Sequence, residues 1–257
     1  TLNGEGLQHE DGHSHLLAST VPTCQCYDPA FAYEIGLIIA DGLKRMYQQR
    51  EDIFYYLTLY NQNYEMPPMP PGVEEGVLKG LYKFKASDLP KPRHRVHLFG
   101  SGPLILEALR AQQILAEELA IAAEVWSVTS YVQLRREALD VERRNLLDPF
   151  TSPDVPYLTR VLQAEPWPVV AVSDFMKIHA EQVARWTPAG LYPLGTDGFG
   201  RSESREALRR FFEIDAEHIA LAAAVPFARK DVQVAERLKA CLKKWQIDPN
   251  KPNPARS

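Results

Sequence analysis

HRVHLFGSGPLILEALRAQQILAEELAIAAEVWSVT, residues 94–129, decides the fold class. Its first six residues, HRVHLF (94–99), suit a strand, and Gly100 and Gly102 supply a turn. Residues 103–119 carry Ile105, Leu109 and Leu115 on one helical face, and EVWSVT (124–129) returns to strand. Strand, glycine turn, helix, strand is the unit of a parallel sheet, because parallel neighbours need a long crossover. Toward the carboxyl end the rhythm repeats. A helix is predicted over 131–146, a strand at 168–173 (PVVAVS), a helix at 175–186 and a strand at 191–194. Helices at 203–212 and 215–229 follow. The reading is an α/β domain of three layers, α/β/α, with a largely parallel sheet.

Toward the amino end, residues 30–49 place Phe31, Ile35, Ile38, Ile39, Leu43 and Met46 at helical spacing. Asp28 and Pro29 read as that helix's N-cap and first-turn residue. IFYYLTL (53–59) reads as a buried strand, and NQNYEMPPMPPG, with four prolines, as a stiff connector. Pro90 and Pro92 mark a boundary, giving segments 1–90 and 91–257. The polar, proline-punctuated tail DPNKPNPARS reads as loosely held.

With 257 residues, 45% hydrophobic and 24% charged, the chain can bury a sizeable core. A net charge of −4 gives no global basic field, which disfavours a nucleic-acid partner. No apolar run reaches the roughly 18 residues of a spanning helix, so no membrane role is expected. Cys24 and Cys26 stand too close for an unstrained bridge and Cys241 is alone, so free thiols in a cytoplasmic setting are expected. The chain opens without Met inside its most site-like segment, which reads as the carboxyl-terminal portion of a longer polypeptide.

That segment is TLNGEGLQHEDGHSH (1–15), with His9, His13, His15, Glu10 and Asp11 set among Gly4, Gly6 and Gly12. Only Leu2 and Leu7 are bulky and apolar, so it reads as a shaped loop. Imidazole beside carboxylate is the material of proton transfer near neutral pH. The HxxxHxH spacing is also compatible with zinc, but no fourth ligand is evident, and a substrate-contacting loop is preferred over a metal site.

A second candidate is LGTDGFGRSESREALRRFF (194–212), where Gly195, Gly198 and Gly200 surround Asp197 and Ser202 can cap the next helix. Glycine turns at helix N-termini can hold phosphate, but the pattern is neither GxxxxGK[ST] nor GxGxxG. An interface turn is the simpler reading, with Asp197 and an exposed Phe199 as its anchors. The charged stretch 134–146 reads as a solvated helix face, and Tyr55, Tyr56, Tyr60 and Tyr64 as core and dimer contacts.

Four stretches together carry a resemblance: TLNGEGLQHEDGHSH, YDPAFAYE (27–34), SDFMKIHAEQV (173–183) and LGTDGFGRSESREALRRFFEIDA (194–216). Over essentially its whole length the chain resembles the C-terminal part of the homodimeric, bacterial-type pyruvate dehydrogenase decarboxylase component, in the transketolase superfamily. The resemblance implies that residues 1–90 end a pyrimidine-binding α/β domain with its proline-rich linker. It implies that 91–257 form the transketolase-like C-terminal domain. The implied cofactors are thiamine diphosphate and Mg2+, held mainly by parts of the enzyme outside this chain. The implied partners are a second copy in a homodimer, pyruvate, and the dihydrolipoyl acyltransferase component, whose lipoyl group takes the acetyl unit.

By position Asp11, His13 and His15 match the family's loop over the thiazolium and are the implied catalytic residues, with Glu10 and, as a weaker candidate, His9 as substrate-binding residues. They would bind pyruvate's carboxylate or carbonyl oxygen and steady developing charge. The family's Gly-Asp-Gly metal segment is absent, so the chain alone is expected neither to bind the cofactor well nor to turn over pyruvate. Relatives also show an acidic residue where Gln62 stands. The alternatives are a transketolase-like or 2-oxoglutarate-type decarboxylase, or a dimerisation module with no chemistry.

Overall fold

The structure is a computed structural model that describes residues 6–256; Gly4 and the four residues around it lie outside them. In chain order the elements are α1 (Ser14–Ser19), β1 (Cys24–Tyr27), α2 (Ala32–Leu43), β2 (Phe54–Leu57), α3 (Glu74–Lys79) and β3 (Tyr82–Lys85). There follow β4 (His94–Gly100), α4 (Ile105–Ile114), β5 (Ile121–Ser127), α5 (Tyr131–Leu147) and α6 (Tyr157–Leu162). The last are β6 (Val169–Val172), α7 (Lys177–Glu181), β7 (Leu191–Leu194), α8 (Arg205–Phe211), α9 (Ala216–Ala228) and α10 (Val232–Lys244). No helix among the described residues is long and apolar enough to cross a membrane.

Two sheets result. β1 and β2 pair in parallel, with α2 in the crossover between them. The larger sheet runs β3-β5-β4-β6-β7, with β3 antiparallel to β5 and the other pairs parallel. Period-two alternation divides its side chains between two cores. Val96, Leu98, Ile121, Ala123, Val125, Val170 and Val172 face α4, α9 and α10, where Ile105, Ile219 and Leu238 meet them. Phe99, Trp126, Val169 and Ala171 face α5, α6 and α7, against Tyr131, Leu158 and Ala180. The three-layer expectation is realised. Pro193 sits in β7, an edge strand, where its missing N–H costs no ladder bond.

Several elements differ from the sequence reading. β5 begins at Ile121, before the expected 124, because Ala120 takes a left-handed conformation (φ 55°) directly after the helical stretch ends at Leu119, as expected. β3 precedes the boundary near residue 90, yet it hydrogen-bonds into the larger sheet. Asp28 does not cap α2. Phe31 stands at that position, and the carboxylate of Glu34 accepts the backbone N–H groups of Ala30 (2.5 Å) and Phe31 (3.0 Å). Ser204, not Ser202, caps α8, accepting from the Ala207 N–H. The tail is anchored: Lys251 Nζ donates to the carbonyls of Phe211 (2.6 Å) and Arg210 (3.2 Å) at the end of α8. Cys24, Cys26 and Cys241 are free and buried, as expected.

Candidate functional site

In an open α/β sheet the loops leaving the carboxyl ends of parallel strands gather into a crevice suited to ligands. Here those loops are Ser101–Gly102 after β4, Thr129–Ser130 after β5, Ser173–Phe175 after β6 and Gly195–Asp197 after β7. The histidine loop meets the segments that follow β6 and β7. Its Gly12 carbonyl accepts the Met176 N–H at 3.1 Å, and a Cβ on Gly200 would come within 2.6 Å of Glu10 Cβ. Glycine at 200 is what lets the two loops touch.

Between them lies a cleft of about 170 Å³. His9, Glu10 and Asp11 line one side, and Arg201, Arg205 and Arg209 another. Leu59, Phe175, Leu208, Phe212 and Ile214 contribute apolar wall, while Tyr60, Asp174 and Thr196 contribute polar groups. Burial raises the Glu10 carboxyl above its ordinary value; the nearby His13 opposes the rise and Asp11 adds to it. Arg209 is the deepest cation: it donates to Glu107 Oε1 and to Gln62 Oε1, each at 2.9 Å. A neutral acceptor at Gln62 suits a guanidinium already paired with Glu107, which gives that segment a structural role.

The five loop residues separate by position. His9 is exposed at the cleft. Asp11 lines the cleft but also shapes the turn, accepting Ser14 N–H at 3.0 Å and Ser14 Oγ at 2.6 Å. His13 is exposed and stands outside the cleft lining. His15 is 1% exposed, enclosed by the rings of Tyr56, Phe175 and His179. Its Nε2 meets Thr58 Oγ1 at 2.9 Å. Burial lowers its pKa, with the charges of Asp28 and Asp11 pulling the other way.

Behind the loop sits a residue that the sequence reading assigned elsewhere. Asp28 is 2% exposed, and its carboxylate accepts three hydroxyls: Thr58 (2.7 Å), Tyr60 (2.6 Å) and Ser101 (2.6 Å). Its N–H donates to the Thr129 carbonyl at 2.7 Å and its carbonyl accepts the Gly102 N–H. Burial pushes this carboxyl upward, while His15 and the hydroxyls hold it down. An acid directly before proline resembles a helix cap in sequence, and nothing local marks it as a joint between distant segments.

Asp197 Oδ1 accepts the Lys177 N–H at 3.0 Å, at the start of α7. Phe199 is 74% exposed on the same turn. The aromatic cluster is partly core: Tyr60 bonds Asp28 and Tyr64 bonds the Ala30 carbonyl.

Among the described residues no three His, Cys, Asp or Glu side chains converge as metal ligands. Residues 1–67 match the family described as pyruvate dehydrogenase E1 component middle domain, and residues 80–215 match the transketolase-like TK C-terminal domain. The chain is 48% identical over 255 residues to the pyruvate dehydrogenase E1 component of Pseudomonas aeruginosa, covering 99% of this chain and 29% of that protein. To the component from Escherichia coli K12 it is 46% identical over 256 residues, covering 99% of this chain and 28% of that protein. It therefore spans less than a third of the length of these curated relatives. A transketolase from Leishmania mexicana shares the fold at TM-score 0.57 and 22% identity, over 86% of this chain and 28% of the other.

Proposed function

We propose that this chain, which belongs to the transketolase-like C-terminal domain family, serves a thiamine-diphosphate-dependent pyruvate dehydrogenase E1 component and supplies its histidine-bearing substrate loop. The observation that carries the reading is the seating of that loop on the carboxyl ends of the parallel strands, with His9 and Glu10 on a small, mostly apolar cleft. In this reading the chemistry of carbon–carbon cleavage belongs to the cofactor and to other parts of the enzyme. This chain's share is recognition and proton handling.

In this reading His9 and Glu10 touch the 2-oxo acid, Asp11 holds the turn, and His15 seats the loop from behind. Arg201 and Arg205 supply positive charge on the facing wall, suited to a carboxylate. The enzyme is proposed to be a cytoplasmic homodimer with Mg2+ at the cofactor. It passes the acetyl unit to the lipoyl group of a dihydrolipoyl acyltransferase, and Phe199 anchors a subunit contact beside Asp197.

The test uses the full-length polypeptide. His9→Ala is expected to lower kcat/KM for pyruvate by about 10²-fold or more, the scale of a lost acid–base or oxyanion contact. His13→Ala is expected to leave it nearly unchanged. Unaltered turnover in the His9 variant would remove the loop from the chemistry and favour a scaffolding role. Product analysis with pyruvate against 2-oxoglutarate separates this reading from a relative with a larger substrate.

A further inference from the structure

Three hydroxyls converge on the Asp28 carboxylate, and each has only one proton to give. Thr58 has two oxygen acceptors within reach, Asp28 Oδ1 at 2.7 Å and the Tyr27 carbonyl at 3.5 Å. The shorter, charge-assisted bond takes the proton. What remains on Thr58 toward His15 is a lone pair, so at 2.9 Å the His15 Nε2 must be the donor. We infer that Asp28 and Thr58 are positioning residues: they fix His15 as its Nε2–H tautomer and so lock the histidine loop to the end of the larger sheet.

The connection is physical at each step. His15 lies in the first turn of α1, so its ring position sets the rotation of the helix that the loop enters. Thr58 follows β2, and Asp28 follows β1. From Asp28 the chain of bonds passes to Ser101 and Gly102 at the end of β4 and, through backbone, to Thr129 after β5. Gly102 (φ +51°) makes the closeness possible, since a Cβ there would lie 3.0 Å from both Asp28 carboxylate oxygens. One buried carboxylate thus ties the small sheet, the large sheet and the loop together, and the ring of His15 reports whether the tie is made.

The consequence for turnover rests on the function proposed above; the tautomer does not. Ring ¹⁵N resonances of the histidine-labelled 257-residue chain read it directly, with His15 assigned by its absence in His15→Gln. The expected wild-type signature is a protonated Nε2 and a bare Nδ1. Thr58→Val keeps the shape and removes the lone pair, and is expected to abolish that signature, while Thr58→Ser restores it. A wild-type His15 carrying its proton on Nδ1 overturns the inference, and so does a folded Thr58→Val chain that keeps the Nε2–H form. If the valine variant does not fold, the wild-type spectrum and the serine variant decide. Absence of pyruvate turnover in the full-length wild type would sink the proposed function and leave the tautomer result standing.

Discussion

His15 and His179 lie ring to ring, centroids 5.2 Å apart, and both are about 1% exposed. Burial, reinforced by the His15 charge, pushes His179 down to about 3, and burial lowers His15 as well. Both rings are therefore neutral in the fold near neutrality. The unfolded chain takes up protons first as pH falls, since its imidazoles titrate near about 6.5. The stability contributed by this pair is present above that value and lost as pH drops toward the folded-state values, by up to about 1.4 kcal/mol per pH unit per proton. The urea midpoint is expected to fall between about pH 7 and about pH 5, and His179→Phe, which keeps an aromatic ring there, is expected to flatten the fall. Equal slopes in the two proteins would show that His179 takes up its proton in the fold as readily as in the unfolded chain. At this scale the sequence told which residue types gather but not which way they turn. His9, His13 and His15 read as one group, yet α1 starts at Ser14 and His15 enters it while His13 stays outside. Two positions apart on a helix face opposite ways, so one ring is in solvent and the other in the core.

α8 follows the glycine turn that borders the cleft, and Arg205, Leu208 and Arg209 on it line that cleft. Its last carbonyls would be left without intrahelical partners. Lys251 supplies one: besides Phe211 and Arg210 it reaches Glu213 at 3.1 Å and lies over the Phe211 ring. The tail then continues past Gly198, where a Cβ would meet the Pro254 carbonyl at 2.8 Å. Lys251→Met keeps the stem and removes the ammonium. Its expected cost is about 1 kcal/mol, the scale of one charged contact at a helix C-terminus. Amide exchange should quicken over residues 208–214, where Phe212, Glu213 and Ile214 donate to the last turn of the helix. Exchange unchanged there, with stability unchanged, would mean that the tail merely rests on α8. The long periodic elements were legible from sequence: α5 and α9 lie close to their expected bounds, and so do α2 and α4 once the helical turns 44–48 and 115–119 that continue them are counted. β1, α3, β3 and α6 were not, being four to six residues long and placed beside turn or proline-rich segments where no period can establish itself. α10 was a different case. Val234, Leu238 and Cys241 recur at helical spacing on its buried face, a pattern present in the sequence and left unread.

Over the whole molecule, a three-layer domain carries a small two-stranded sheet and a site loop on the carboxyl ends of its strands. The layer order was legible because strand and helix alternate from residue 94 onward. The seam between the two sheets was not, because β3 joins the larger sheet across a stretch whose prolines read as a boundary, and Asp28 makes its contacts with residues far away in sequence. This arrangement limits what the chain can bind. A magnesium ion bound with a diphosphate would take one or two carboxylates from the protein besides phosphate and water oxygens. The sequence has no Gly-Asp-Gly segment, and among the described residues no three His, Cys, Asp or Glu side chains gather as metal ligands. The cleft itself, at about 170 Å³, is small for a cofactor, and its carboxylates, Glu10, Asp11 and Asp174, share the wall with arginines and apolar groups. Calorimetric titration of this chain with thiamine diphosphate and magnesium is therefore expected to give binding no tighter than about 1 mM, some 4 kcal/mol in free energy. Micromolar binding that disappears with chelator would overturn the proposed division of labour, in which this chain is assigned recognition of the keto acid and the cofactor is assigned to other parts of the enzyme.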